Sequence, residues 1–471
     1  MKKQQPIISK KELATKTFLS YFTNRKLQKI FKSRVLYKDN AGVDGVHAHD
    51  FDPKESFKII RYKISAGTYH FAPYAEIQLP KGRGKPPRIL ALPTVRDQIV
   101  LSALKDYLHD AFPDSVNHKL PNSHIYELNK EILKVRLQKP PYAFMHTDIS
   151  GFYDNIDREK LMNVVRTKID IPEALKLIYQ AIANPIVPRS SKRSQRLHYC
   201  TPKGVPQGLA ISNILANIYM LKFDPVIKKV SKYYIRYVDD ILVICSPQKN
   251  HKVQEKLYFE ISKLGLKLNE EKTKKGEIGN DPFDFLGYKL KADGHISVRD
   301  ASVHRKITSL IAKMSYADHK KEEFVKLHDN VDKKVYKKIL VEDINEQITG
   351  VIGNNKRYGW LFYFSQMTDL TLLYRLDRIT KKLCKRCLTF SEKMPNEIKS
   401  FVKAFREIHK LESGKDSLYI PNYDEWKIRK KIKFLRERGL LIEGKSYTEE
   451  EINKKMYKRL RQLESDVRDM S

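Results

Sequence analysis

The sequence predicts a mixed helix-and-sheet chain, α/β in the α+β sense, in which an antiparallel sheet with packed helices precedes an all-helical C-terminal part. Three observations carry this. Tyr233–Val238 and Ile241–Cys245 are apolar runs rich in β-branched and aromatic residues, and only Asp239 and Asp240 separate them, which is the pattern of a tight β-hairpin. Strand-like and helix-like patterns alternate between about 140 and 290. Beyond about 300, Ile307, Leu310, Ile311 and Met314 recur at helical spacing.

Taken in order, residues 1–40 read as a basic helical segment, with Leu13, Phe18, Tyr21 and Phe22 as packing residues. Residues 41–140 mix helix and strand around a Gly-, Pro- and Lys-rich loop from Pro80 to Arg88. Residues 141–298 open on a half-buried strand, Ala143–Thr147, ending at Asp148; Ile149–Asp157 then turns toward a helix. Leu209–Met220 reads as a helix whose Ala210, Ser212, Asn213, Ala216 and Asn217 are small or polar. Residues 299–395 are helical, and residues 396–471 form a basic helical extension. Within it, Trp426–Arg438 puts Ile428, Ile432 and Leu435 on one face and crowds Lys and Arg onto the other, and Thr448 with Glu451 forms a capping box for a last helix.

The 471 residues hold 90 Lys plus Arg against 56 Asp plus Glu, a formal charge of +34, so the chain attracts polyanions, and nucleic acid is the natural partner. No apolar run of about 18 residues and no signal-like segment is present, which predicts a cytoplasmic protein without a membrane partner. Four cysteines, Cys200, Cys245, Cys384 and Cys387, do not build a disulfide framework. Cys384 and Cys387 form one C-x-x-C with no second pair nearby and read as ordinary thiols.

The chemistry gathers at acidic residues. Adjacent carboxylates such as Asp239 and Asp240 repel, and partial burial raises the cost unless a cation sits with them. A strand-end carboxylate at Asp148 beside the hairpin can hold two magnesium ions about 3.5–4 Å apart for in-line phosphoryl displacement. On these residues alone the plainer reading stays open, with Asp148 a helix cap and Asp239–Asp240 a solvated turn.

At this point the chain resembles a bacterial reverse transcriptase of the group II intron, retron and defence-associated branch. Tyr237-Val238-Asp239-Asp240 resembles the Tyr-X-Asp-Asp box, Asp148 to Tyr153 the first palm motif, Gly204-Val205-Pro206-Gln207-Gly208 the Pro-Gln-Gly motif, and Leu264 to Thr273 the lysine-bearing segment after the hairpin. Phe285-Leu286-Gly287-Tyr288 resembles the primer-grip turn. The resemblance implies a right-hand polymerase: fingers over 41–140, palm over 141–298, helical thumb over 299–395 and the C-terminal extension beyond.

It also implies roles. Asp148, Ile149, Asp239 and Asp240 would line the sites of two magnesium ions, with manganese as a possible substitute, and Asp148, Asp239 and Asp240 would be catalytic. Lys81 and Arg88, seven residues apart, would meet the phosphates of an incoming nucleotide. Tyr153 would be an aromatic gate beneath the sugar that excludes a 2′-hydroxyl, with Phe152 packing into the core. Gln207 would contact template or nucleotide, and Lys272 would donate a proton to departing pyrophosphate. For Lys81 and Arg88 a generic basic loop, for Tyr153 a core aromatic, for Gln207 a capped core helix and for Lys272 a solvated lysine are the bland alternatives.

The reading is an RNA-directed DNA polymerase making cDNA from deoxynucleoside triphosphates on an RNA template, an associated non-coding RNA, in anti-phage defence. Departures from the family set this preference. Pro121 to Glu127 replaces a Gly-Phe-Arg-rich run usual in intron enzymes, no His-Asn-His endonuclease or cysteine-paired zinc module follows the thumb, and retron enzymes are generally shorter. A group II intron maturase-like or retron-type enzyme, or an RNA-binding scaffold with secondary polymerase activity, remain as alternatives, the intact aspartates opposing a dead site.

Overall fold

The computed structural model describes residues 10–464 apart from 37, 39, 81–83, 85, 118, 329, 330, 392 and 443. Contacts divide the chain into two compact units, one of residues 1–118 with 147–273 and one of residues 119–146 with 274–471. The expected mixture of helix and antiparallel sheet is what the chain forms.

The first unit begins with helices at Lys10–Leu19, Asn24–Ile30, Pro53–Ser65 and Val95–Ala111. Phe18 and Phe22 are buried as expected, but Leu13 is 58% exposed, because its helix covers the core with one narrow edge only. Pro53 enters helix three at its first turn while the Asp52 side chain accepts from the Lys54 and Glu55 amides, so the start is set by sequence. Strands β1 (Tyr74–Leu79) and β2 (Arg88–Leu92) pair antiparallel, Leu79 opposite Arg88. Strand β3 (Ala143–Asp148) contributes its last two residues to this unit. Strand β4 (Ile186–Val187) pairs parallel with β1, and β5 (Tyr233–Tyr237) with β6 (Asp240–Cys245) forms the hairpin. Ile241 to Cys245 are all buried, which explains an unbroken apolar run where a one-sided strand would alternate.

The helix expected over Leu209–Met220 spans Ser212–Tyr219. Its start is delayed because Gly208 sits at φ +99° and the Ser212 hydroxyl donates back to the Pro206 carbonyl at 2.5 Å.

In the second unit β7 (Lys274–Glu277) pairs antiparallel with the first four residues of β3. Strands β8 (Phe283–Phe285), β9 (Tyr288–Leu290) and β10 (Ile296–Val298) form an antiparallel meander. The helix Asp300–Leu327 buries Val303, Lys306, Leu310, Met314 and Ala317, whereas Ile311 is 45% exposed. The buried stripe therefore runs one step away from the expected Ile311, and Lys306 is admitted to it because its ammonium reaches Gln347 Oε1 at 2.8 Å.

A hairpin of β11 (Val351–Gly353) and β12 (Lys356–Tyr358) interrupts the region read as purely helical. Asn354 and Asn355 both adopt positive φ, and the Asp424 carboxylate accepts their amides, at 2.5 and 2.9 Å. Asn-Asn was the available signal for such a turn. The last two helices are Ile428–Glu437 and Glu449–Gln462, the second opening on the Thr448–Glu451 capping box. Leu435 is fully buried, with Ile428 and Ile432 packed against the same cluster. Arg438 and Arg459 both reach Asp343; burial would raise that carboxyl, but Arg459, Lys313 and Arg438 outweigh it and hold the pKa below the usual carboxylate range. Among the described residues no helix is long and apolar enough to cross a membrane.

Candidate active site

The end of β3 is fastened on two sides. Thr147 Oγ1 meets Thr273 Oγ1 at 2.7 Å, the Asn269 amide donates to the Asp148 carbonyl at 2.7 Å, and the Ser150 amide donates to the Lys267 carbonyl at 2.9 Å. On the other side the Ile149 amide donates to the Asp239 carbonyl at 3.1 Å. These bonds gather Asp148, the hairpin tip and the segment carrying Lys272 into one place.

The tip itself differs from the sequence expectation. Tyr237 lies opposite Asp240 in the ladder, so the two turn residues are Val238 and Asp239, and Asp240 is the first residue of β6. Val238 adopts φ +59°, a conformation that costs a β-branched residue on the order of 1–3 kcal/mol. Arg236 supports it: Nη1 donates to the Val238 carbonyl at 2.8 Å and to Asn217 Oδ1 at 3.1 Å. The same guanidinium is held by Asp224 through Nε at 2.8 Å and Nη2 at 2.7 Å.

Burial first, then the neighbouring Asp148 charge, push the Asp239 carboxyl up to about 7. Lys272 Nζ sits against Asp148 Oδ2 and partly relieves the crowding. This excess of negative charge is what a divalent cation would neutralise, and the oxygen-only donors suit magnesium. Among the described residues no three His, Cys, Asp or Glu side chains form a ready metal cage. Magnesium needs none, because one or two carboxylates and substrate phosphates commonly hold it. The Ile149 side chain is buried, so its carbonyl is the group that could take part.

Around these carboxylates stand further expected residues. Tyr153 is half-buried in the short helix Phe152–Asn155, and its phenol is pushed up to about 12, by burial foremost and by Asp239, with Arg236 and Arg88 acting oppositely. Phe152 beside it is buried. Arg88 is exposed at the start of β2, and Lys81 lies outside the described residues. The Gln207 carbonyl accepts from the Ala91 amide at 2.7 Å, and its side chain reaches Asp154 Oδ1 at 3.4 Å, which ties the Pro-Gln-Gly loop to both β2 and the Tyr153 segment.

The residues expected to form a primer grip belong to the second unit. Leu286 and Gly287 form the two-residue turn between β8 and β9, both at positive φ, as a primed hairpin turn requires. Phe285, Leu286, Gly287 and Tyr288 are all buried, and Tyr363 donates from its hydroxyl to the Leu286 carbonyl at 3.1 Å.

Sequence reading gave no role to Arg158, Asp224 or Arg236, and it placed Asn217 only among the small or polar residues of its helix. Arg236, at alternate spacing within an otherwise apolar strand, was the visible anomaly.

Residues 79–290 match the family described as reverse transcriptase (RNA-dependent DNA polymerase). The chain is 26% identical over 298 residues to protein YkfC of Escherichia coli K12, covering 53% of this chain and 75% of that one. It is 21% identical over 460 residues to the group II intron-encoded protein LtrA of Lactococcus lactis subsp. cremoris, covering 79% and 75%. Among solved structures, telomerase of Candida albicans in complex with a fragment of telomeric RNA aligns at 12% identity and TM-score 0.39, over 80% of this chain and 66% of that one. Apo telomerase of Candida tropicalis aligns at 13% and 0.41, over 84% and 64%. The chain thus carries a reverse transcriptase domain with group II intron-encoded homologues at low identity, and its enzyme class is RNA-directed DNA polymerase.

Proposed function

We propose that this RNA-directed DNA polymerase copies an associated non-coding RNA into cDNA and serves in anti-phage defence. The observation that carries the polymerase chemistry is the meeting of Asp148 with the strained Val238–Asp239 turn, through the Ile149 amide, beside the cationic Lys272.

Asp148, Asp239, Asp240 and the Ile149 carbonyl would hold two magnesium ions. When bound, these supply Lewis-acid stabilisation of the phosphoryl oxygens and of the primer 3′-oxygen. The protein's own groups do the rest. Arg88 and Lys81 meet the triphosphate oxygens. The Tyr153 ring underlies the sugar and leaves no room for a 2′-hydroxyl. Gln207 hydrogen-bonds the template or nucleotide from a loop fixed to β2. Lys272 holds a proton on Nζ for the leaving pyrophosphate oxygen. The exposed Arg429, Lys433 and Arg436 supply an outward cationic stripe for the RNA phosphates.

A group II intron maturase-like role is the second reading, favoured by the 460-residue alignment with LtrA. The two separate by the bound RNA. Purified from its cells, the chain should carry one structured non-coding RNA that templates deoxynucleotide incorporation. Recovery of intron RNA, with splicing dependent on the protein, would favour the maturase.

A further inference from the structure

Arg158 opens the helix Arg158–Val165, yet its side chain is turned inward and the residue is 7% exposed. Nε donates to the Gly204 carbonyl at 2.8 Å, Nη1 to the Thr201 carbonyl at 2.5 Å and Nη2 to Thr201 Oγ1 at 2.9 Å. Among the described residues no carboxylate pairs with it, so a buried guanidinium is held by three neutral oxygens, and burial lowers its pKa from the ordinary arginine value. Burying a charge without a counter-charge is expensive, and an apolar side chain would fill the same space at less cost. What the arginine holds gives it a use.

Thr201–Gly204 leads directly into Val205-Pro206-Gln207-Gly208. The Gly204 amide donates to the Ile156 carbonyl and the Val205 amide to the Tyr153 carbonyl, both at 2.8 Å. Gly204 adopts φ +90°, and a Cβ there would fall 2.9 Å from the Asp154 carbonyl oxygen, so the two segments are as close as backbone allows. One residue beyond Pro206, Gln207 joins β2, the strand that begins at Arg88. Arg158 therefore clamps, from behind, the junction at which the Tyr153 segment, the Gln207 loop and the Arg88 strand meet.

We propose that Arg158 is a positioning residue for sugar selection: by fixing Thr201–Gly204 against the backbone of residues 153–156, it sets the position of the Tyr153 ring beneath the incoming nucleotide. The inference rests on the reading of Tyr153 as the sugar gate. A planar guanidinium reaches three acceptors in three directions at once, whereas the single ammonium of lysine keeps the charge without spanning both Gly204 and Thr201. Loosening the clamp lets the ring withdraw, so ribonucleotides gain entry while deoxynucleotides lose part of their fit.

The test compares kcat and KM for one deoxynucleotide and its ribonucleotide on externally primed RNA. The enzymes are wild type, Tyr153→Ala, Arg158→Lys and Thr201→Val, the last removing only the hydroxyl acceptor and guarding against misfolding of Arg158→Lys. The expected result is loss of sugar discrimination in Tyr153→Ala, a fall of about tenfold in Arg158→Lys carried mainly by KM, and a smaller fall in the same direction in Thr201→Val. A merely structural arginine would lower the active fraction and thermal midpoint while leaving the discrimination ratio at its wild-type value. Wild-type ratios in both Arg158→Lys and Thr201→Val, with Tyr153→Ala relaxed, would overturn the role of Arg158 alone. A wild-type ratio in Tyr153→Ala would overturn the gate reading and this proposal with it.

Discussion

Lys272 Nζ lies 2.5 Å from Asp148 Oδ2, although 124 residues separate the two in sequence. The contact places an exposed ammonium on a carboxylate that the proposed magnesium ions would also use. Lys272 is exposed, so it can swing from the carboxylate to a phosphate oxygen without unfolding anything.

Removing that ammonium should separate two effects. Lys272→Met is expected to lower the rate of nucleotide incorporation by at least tenfold through loss of proton donation to pyrophosphate. It should also lower the magnesium concentration needed for half-maximal rate, because the ammonium no longer competes for Asp148. A magnesium titration of the single-turnover rate reads both; an unchanged or increased magnesium requirement would contradict the competition.

The Asp239 carboxyl, pushed up to about 7, makes stability and metal affinity depend on pH. Between the ordinary carboxylate value and about 7, the metal-free folded chain retains a proton that the unfolded chain has lost, so its stability falls as pH rises through that window. The total is up to about 4 kcal/mol. Asp239→Asn should abolish this slope and leave the metal-free protein more stable than wild type at pH 8. Magnesium should bind wild type more tightly as pH rises toward 7 and level off above it, since binding displaces the proton. Thermal midpoints with chelator, and magnesium titrations from pH 5.5 to 8.5, check these expectations.

Arg236 is predicted to be both structural and functional. Its side chain is 7% exposed and pairs in bidentate fashion with Asp224 while holding the Val238 carbonyl. Arg236→Met strands the Asp224 carboxylate and should cost about 3–5 kcal/mol. Arg236→Lys should cost less yet still reduce activity, because one ammonium cannot hold both Asp224 oxygens and the strained turn. Denaturation midpoints and incorporation rates of the two variants decide this, and full activity in Arg236→Lys would contradict it.

The legible part of the molecule was the part written in local pattern. The hairpin runs, the strand ending at Asp148 and the Thr448–Glu451 cap each announce themselves within a dozen residues. The turn of the hairpin was displaced by one position because adjacent aspartates resemble turn residues, and a β-branched residue at positive φ is not an expectation any local rule would supply. Arg158 and Arg236 were missed for a different reason. Arg158 works on the carbonyl of Gly204, 46 residues away, and a single sequence does not display such a pairing. Arg236 shows as an anomaly in its strand, but nothing local says that Asp224, twelve residues earlier, and the Val238 carbonyl are what it holds. The Ile311 face failed because a lysine, Lys306, takes a buried place on the helix through its hydrogen bond to Gln347.

The cationic stripe of the Ile428–Glu437 helix should contribute to RNA affinity in a salt-dependent way. Arg429, Lys433 and Arg436 are exposed, while the neighbouring Arg438 is committed inward to Glu342 and Asp343. Replacing the three with Gln should weaken RNA binding and reduce the slope of log affinity against log salt by roughly 2–3. Filter binding across a range of salt concentrations measures it, and an unchanged slope would remove this face from the RNA interface.

The central claim is that Asp148 and Asp239 form the catalytic pair of an RNA-directed DNA polymerase. Extension of a primer annealed to RNA, with magnesium and deoxynucleotides, tests it on wild type, Asp148→Asn and Asp239→Asn under identical conditions. The account predicts full-length cDNA from wild type and a loss of at least a thousandfold in rate from either variant, with RNA binding retained. Undiminished extension by either variant, or none by wild type on any primed RNA, would contradict it.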